Sequence, residues 1–358
     1  MEMLRDQNIE MLVEIDPPEA YLSEFPVVPK VAENIMKFRR TIRNILSGLD
    51  QRLLVIVGPC SIHDEKAGLE YAQHLANLAQ ELQEHLLIVM RVYFAKPRTT
   101  VGWKGLINEP NLDGIMNVAE GLRRARQFLL EVAELGLPAA TEWLDLIDPQ
   151  YLADLVSWGA IGARTTESQT HRELASGLSM PVGFKNGTGG TRYSIQIAVN
   201  GMIAASKPHV FKSTNTAGKV VEAHTKGNPG VHAILRGGER GSNYDSDSVL
   251  ATLAMLKKAN FPPRLLIDCS HDNSGKDYSR QSEVFRNVLE QRLGGNEGVS
   301  GMMLESHLFE GKQPLNGGSA SLRYGVSITD GCIGWEETEE LLREAHRRLA
   351  QKIAMLSV

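Results

Sequence analysis

The chain's 358 residues, 42% hydrophobic and 23% charged, exclude a disordered or fibrous protein and suit either two modest domains or one large α/β barrel, which takes roughly 250 residues. Lys plus Arg number 38 against 43 Asp plus Glu, a net charge of −5 that excludes nucleic-acid binding through bulk positive charge but leaves room for a local basic pocket. No apolar run approaches the ~18 residues that span a bilayer. The opening residues lack a signal-peptide pattern, and Cys60, Cys269 and Cys332 make no disulfide framework, so a soluble cytoplasmic protein is expected.

In chain order, residues 1–50 form an arm suited to assembly or regulation. Breakers mark it at Ile15-Asp16-Pro17-Pro18 and Phe25-Pro26-Val27-Val28-Pro29, and a basic helix is predicted over Val31–Leu49. From there to residue 358, short apolar runs alternate with amphipathic ones. The predicted strands are Leu53–Val57, Leu87–Val92, Ala139–Thr141, Ala160–Ala163, Val182–Phe184, Ala233–Leu235, Leu265–Asp268 and Met302–Leu304. They lack polar alternation, as parallel strands buried on both faces do. Helices are predicted over Lys66–Glu84, Ile115–Leu135, Pro149–Ser157, His171–Gly177, Ser194–Ala205, Asp245–Lys257, Ser279–Leu293 and Glu336–Ala354. Eight strands each followed by a helix predict a (β/α)8 TIM barrel over 51–358. Val210–Ser213 and Lys219–Ala223 flank Asn215-Thr216-Ala217-Gly218 and predict a β-hairpin inserted at about 209–224.

Such a barrel carries its site at the C-terminal ends of the strands. Arg91, Lys96, Arg98, Arg164, Lys185 and Arg236 all fall there. Six cations on a net-acidic chain repel one another unless a highly charged anion bridges them, and guanidinium forks suit phosphate and carboxylate. Glycines in Lys185–Gly190 and Arg236–Gly238 could add backbone N–H groups for a phosphate. A second set, Cys60, His271, Glu305 and Asp330, comes from four separate strand ends. Thiolate, imidazole and carboxylates together make a mixed site for one divalent metal, and Mn, Fe, Co and Zn all suit it.

Five stretches carry a resemblance: Gly58-Pro59-Cys60-Ser61, Lys96–Gly105 (Lys-Pro-Arg-Thr-Thr-Val-Gly-Trp-Lys-Gly), Gly162–Ser168, Gly183–Thr188 and Ser327–Asp330. In order, and over nearly the whole chain, it resembles the type I 3-deoxy-D-arabino-heptulosonate 7-phosphate (DAHP) synthases. The resemblance implies condensation of phosphoenolpyruvate (PEP) with erythrose 4-phosphate, the first step of the shikimate route to aromatic amino acids. It places PEP against Arg91, Lys96, Glu142, Ala163, Arg164, Lys185 and Arg236, and erythrose 4-phosphate against Lys96, Pro97, Arg98 and Thr99. It assigns the metal to Cys60, His271, Glu305 and Asp330, with Lys96 and His271 as candidates for proton transfer near the aldehyde oxygen. A homodimer or homotetramer is implied, as is feedback by an aromatic amino acid at Leu146, Pro149, Gln150, Ser179, Phe211 and Ser213.

Some positions depart from the family pattern. Gly189 replaces a familiar Asp, and the loop Arg236–Tyr244 is longer by one residue. Asp272 follows His271 where Gly or Ala is familiar, and is expected to face solvent or, less simply, to orient the imidazole. Two rival readings are an enzyme making 3-deoxy-octulosonate 8-phosphate from arabinose 5-phosphate, and a catalytically silent sugar-phosphate or amino-acid sensor. The Lys-Pro-Arg-Thr-Thr run argues against the first and the intact Cys/His/Glu/Asp set against the second.

Overall fold

The computed structural model describes residues 4–98, 100–315 and 318–356, so Thr99 lies outside the described residues. Eight parallel strands close a barrel: β1 (Leu53–Gly58), β2 (Leu86–Arg91), β3 (Ala139–Glu142), β4 (Trp158–Ile161), β5 (Val182–Lys185), β8 (Val231–Leu235), β9 (Leu265–Asp268) and β10 (Val299–Glu305), with β1 bonded to both β2 and β10. Between β5 and β8 the antiparallel hairpin β6 (Val210–Thr214) and β7 (Val220–His224) pairs Val210 with His224 and Thr214 with Val220.

Side chains along the barrel strands alternate between two apolar cores. Leu53, Val55 and Val57 pack outward against the helices. Leu54 and Ile56 face inward with Leu87, Val89, Ala140, Ala160, Ile234, Leu266 and Met303. The outer layer comprises α3 (Glu65–Glu81), α4 (Val118–Glu134), α5 (Asp148–Leu152), α6 (Gln169–Gly177), α7 (Arg192–Ala205), α8 (Ser246–Lys258), α9 (Gln281–Leu293) and α10 (Trp335–Leu356). Asp64, Asn117, Ser168, Thr191 and Asp245 cap helix starts through their side chains. The arm helix α2 (Pro29–Ser47) inserts Ile42, Ile45 and Leu46 into the inner core, closing the barrel floor. A shorter helix, α1 (Pro18–Glu24), rests on the hairpin, where Glu19 N–H donates to the Thr216 carbonyl at 2.8 Å.

Three expectations need correction. The fourth strand begins at Trp158, not Ala160. Gly159 looks like a breaker but is a close-packing position, since a Cβ there would lie 2.6 Å from Trp143 Nε1. The single helix expected over Pro149–Ser157 is one turn of α-helix followed by a 3-10 turn, Ala153–Leu155. Helix α1 lies in a stretch whose prolines suggested only extended chain; Pro18 occupies the first helical turn, where its missing N–H costs nothing. Among the described residues no helix is long and apolar enough to cross a membrane.

The barrel floor carries an acid-sensitive contact. Trp158 Nε1 donates to His232 Nε2 at 3.0 Å, and His232 Nδ1 lies 3.0 Å from the Gly230 carbonyl, so the buried ring is the neutral Nδ1–H tautomer. Burial pushes the His232 pKa down to about 4 from the ordinary 6.5. Between those values the unfolded chain binds the proton and the native chain does not. The stabilisation is therefore complete above about pH 6.5 and is lost as pH falls toward 4, by on the order of 3 kcal/mol. The urea midpoint should drop steeply over that window, and His232→Gln should flatten the slope. An unchanged slope in the variant would assign the acid sensitivity elsewhere.

Candidate active site

Six of the eight inward rows end, one inward step further on, in a charged side chain. Leu87 and Val89 lead to Arg91, Ala140 to Glu142, Gly183 to Lys185, Ile234 to Arg236, Leu266 to Asp268, and Met303 to Glu305. The two-residue period of a strand thus converts a greasy barrel interior into a polar layer at its mouth. Gly162, next inward after Ala160, is left without a side chain because a Cβ there would collide with the Glu142 carboxylate.

That layer is buried and heavily charged. Arg91 Nη2 donates to Glu305 Oε1 at 2.9 Å, and the guanidinium lies over the Tyr93 ring at 4.1 Å. Its Nε and Nη1 are buried without a hydrogen-bond partner among the described residues, two donors ready for an anion. Lys185 Nζ lies 3.3 Å from Asp268 Oδ2 and 3.6 Å from Glu142 Oε2. Burial opposes the lysine charge, but Asp268, Tyr93 and Glu142 hold its pKa above the ordinary value. Nearer the rim, Arg164 Nη1 donates to the Pro97 carbonyl at 3.2 Å and Arg98 Nε to the Trp103 carbonyl at 2.8 Å.

Arg91, Lys96, Glu142, Ala163, Arg164, Lys185 and Arg236, together with Pro97 and Arg98, line one cavity of about 190 Å³. It also takes in His271 and Asp330, and Tyr93 and Thr188, which the sequence did not single out. A Phe or Tyr in the Val92-Tyr93-Phe94 run reads as core, so no signal marked Tyr93.

At the base of this cavity the ligand atoms of Cys60, Glu305 and Asp330 all lie within 4.8 Å of one another. Cys60 Sγ is 3.7 Å from Asp330 Oδ2. His271 stands at the edge of the group, its Nε2 3.9 Å from Glu305 Oε1. Its Nδ1 is taken up by Asp268 Oδ2 at 3.0 Å and Ser270 Oγ at 2.6 Å, which leaves Nε2 as the nitrogen facing the carboxylates. His271 has φ +59°, so the chain turns sharply immediately after β9. Gln281 fixes the Glu305 main chain from both sides, accepting from its N–H at 2.8 Å and donating to its carbonyl at 3.0 Å.

The set fits a divalent ion. Two carboxylates and a thiol converge with an imidazole whose far nitrogen is anchored, the arrangement in which outer partners orient metal ligands. Burial and the Glu305 charge push the Cys60 thiol up to about 11, a state that a nearby divalent cation would reverse. Lys96 Nζ reaches Cys60 Sγ at 2.9 Å and the Cys60 carbonyl at 3.2 Å. Burial opposes its charge, yet Cys60, Glu305 and Asp330 keep its pKa above that of an ordinary lysine.

Asp268, which the sequence treated only as the end of a strand, emerges as the residue joining the cation layer to the imidazole. Burial alone would raise its pKa, but His271 and Lys185 hold it well below the usual carboxylate range. Asp272 is corrected: it neither faces solvent nor holds the imidazole, but pairs with Arg236 Nη1 and lies 3.4 Å from Lys276 Nζ.

A second cavity, of about 530 Å³, opens where the hairpin meets the barrel. Pro149, Gln150, Ser179, Phe211 and Ser213 line it together with Arg43. Leu146 does not join them; it borders a neighbouring recess, with Phe211 between the two.

A family model described as the DAHP synthetase I family matches residues 25–343. The chain is 52% identical over 339 residues, 95% of each chain, to the Phe-sensitive phospho-2-dehydro-3-deoxyheptonate aldolase of Escherichia coli strain K12. It is also 52% identical over 338 residues, 94% of each chain, to the Tyr-sensitive phospho-2-dehydro-3-deoxyheptonate aldolase of Salmonella typhimurium. The solved structure of phospho-2-dehydro-3-deoxyheptonate aldolase from Francisella tularensis SCHU S4 superimposes with a TM-score of 0.93 at 46% identity, covering 96% of this chain and 99% of that one.

Proposed function

The chain belongs to the DAHP synthetase I family, and from that premise we propose that it condenses PEP, erythrose 4-phosphate and water into 3-deoxy-D-arabino-heptulosonate 7-phosphate and phosphate. The observation that carries the reading is one cavity whose lining joins the cations to His271 and Asp330, the latter grouped with Cys60 and Glu305. Arg91 and Lys185 are its deepest cations and Arg98 and Arg164 its exposed ones. The smaller, charge-dense PEP belongs with the former and with Arg236, and the phosphate of the longer sugar belongs toward Arg98 at the rim.

Cys60, His271, Glu305 and Asp330 would hold one divalent ion, Mn, Fe, Co or Zn, whose Lewis acidity would polarise the aldehyde or activate water. In the reaction C3 of PEP bonds to the aldehyde carbon and the aldehyde oxygen gains a proton. Water adds at C2, losing a proton, and the C2–O bond breaks to expel phosphate. Lys96, a charged ammonium beside Cys60, is the proton donor to the aldehyde oxygen. His271, expected to share that work, has Nδ1 occupied by Asp268 and Ser270 and only Nε2 left for the metal.

The cavity at the hairpin is the proposed seat of an aromatic amino acid inhibitor, with Phe211 as its aromatic wall. Apolar side chains left exposed on the arm and hairpin, among them Leu12, Val13 and Val220, support assembly into a homodimer or homotetramer. A cytoplasmic location belongs to the same reading, because phosphorylated substrates do not cross a bilayer unaided.

Loss of PEP absorbance tests the reading. Protein stripped with EDTA should be inactive, and Mn²⁺ should restore consumption with erythrose 4-phosphate but not with arabinose 5-phosphate. Phenylalanine, tyrosine and tryptophan, added singly, should identify the inhibitor. PEP and erythrose 4-phosphate binding without consumption under any divalent metal would favour the sensor instead.

A further inference from the structure

We propose that Asp272 is a positioning residue that holds the Arg236 guanidinium in place for the phosphate group of PEP, an inference that rests on the substrate reading above. Arg236 follows the inward-facing Ile234 and shares the mouth with Arg91, Lys185 and Arg164. A long cation in such company gains by swinging out to water, where repulsion is screened. Arg236 does not do so: it is only 8% exposed.

The main chain cannot account for this. Arg236 N–H donates to Asn186 Oδ1 at 2.9 Å, Gly237 N–H to Asn243 Oδ1 at 2.8 Å, and Asn243 N–H to Asn273 Oδ1 at 2.8 Å. These asparagines, tied also to the Gly187, Leu235, Gly237 and Asp268 carbonyls, fix where the Arg236 backbone lies but do not hydrogen-bond its guanidinium. Among the described residues the sole hydrogen bond of the guanidinium is the one from Nη1 to Asp272 Oδ2.

Asp272 is itself a rigid acceptor. Its second oxygen lies 3.4 Å from Lys276 Nζ. Its turn is closed by Lys276 N–H to the His271 carbonyl at 2.7 Å and by Gly275 N–H to the Asp272 carbonyl at 3.1 Å. The turn presses on Gly237, which has φ +72° and where a Cβ would lie 2.9 Å from the Asp272 Cβ. With one Nη so held, the other guanidinium donors remain for the cavity that Arg236 lines. A planar fork fixed at one corner can meet phosphate oxygens in a defined orientation. Its side-chain freedom is surrendered on folding, not on binding.

Two other roles make different predictions. Were Asp272 a support for His271, its loss would cost metal; but the imidazole Nδ1 is already hydrogen-bonded to Ser270 Oγ, with Asp268 Oδ2 3.0 Å away. Were it only a damper on positive charge, its removal would tighten anion binding.

The test uses metal-loaded Asp272→Ala, Asp272→Asn and Asp272→Glu enzymes, with kcat, both KM values, bound metal, and calorimetric titration of PEP and inorganic phosphate. Asp272→Ala should raise the KM for PEP about tenfold and weaken phosphate binding similarly, with kcat, the KM for erythrose 4-phosphate and metal content held within about twofold. Asp272→Asn, which keeps an oxygen for Nη1, should recover most of the loss. Asp272→Glu, which keeps the charge but displaces it, should not, and it reads the same geometry if the alanine variant fails to fold. An unchanged or lower KM for PEP in Asp272→Ala, a loss of metal, or full recovery by Glu without recovery by Asn would overturn the proposal. If the parent protein consumes no PEP, the condensation reading fails alone, because weakened calorimetric binding in Asp272→Ala still sustains the role of Asp272.

Discussion

Lys96→Met should lower kcat about a thousandfold, the middle of the range for removal of a general acid, while leaving bound metal unchanged or increased. Methionine nearly matches the volume of the lysine stem, so the cavity wall is kept and the ammonium is lost. That ammonium sits 2.9 Å from Cys60 Sγ, and its charge is held by Cys60, Glu305 and Asp330. A metal at those residues competes with it for the same negative groups, so the variant should release metal to a chelator no more easily than the parent. PEP binding should weaken only modestly, since Arg91, Lys185, Arg164 and Arg236 all remain. Single-turnover rates at saturating substrate separate these effects. A near-normal rate would remove Lys96 from proton transfer; a lost rate with lost metal would make it a structural prop for the ligand set.

Much of this site could be read from the sequence because barrel geometry is so regular. An apolar run that ends in Arg91, Lys185 or Glu305 puts that residue one step past the inner core, and the alternation of strands does the rest. Cys60 and Asp330, 270 residues apart, could be paired only by assuming closure of the barrel; the distance of 3.7 Å rewards that assumption. What escaped notice depended on which way a side chain turned. Asp268 looked like the last residue of a strand, and a carboxylate at a strand end is usually a residue reaching for water. Here it faces inward between Lys185 and His271 and is fully buried. Asp272 was legible as unusual but not as a partner of Arg236, because the contact joins loops after β8 and β9 whose approach depends on Gly237. Leu146 is near Pro149 in sequence, but the chain turns at Asp145, whose carboxylate accepts from Ile147 N–H at 2.6 Å, and Leu146 borders the adjoining recess that shares Phe211 with the larger cavity.

Asp268→Ala should be the most damaging single change outside the proposed metal ligands and proton donor, with two separable costs. The first is stability. Asp268 lies 3.3 Å from Lys185 Nζ in a region closed to solvent, and removing one member of a buried pair typically costs about 3–5 kcal/mol because the other charge stays behind. The Glu142 carboxylate, 3.6 Å from the same ammonium, should keep the loss toward the lower end. The second cost is metal affinity. Without the carboxylate at Nδ1, only Ser270 Oγ steadies the imidazole, and Nε2 is no longer biased toward the unprotonated, ligating form. Metal binding should weaken about 10- to 100-fold. Asp268→Asn retains an oxygen and most of the shape, so it should recover packing better than it recovers metal. Urea midpoints with and without excess Mn²⁺ read the first cost, and competition with a chelator reads the second. If Asn restored both equally, the charge of Asp268 would be dispensable and its place between Lys185 and His271 would be a matter of shape; if it restored stability alone, the carboxylate acts on the metal through the histidine.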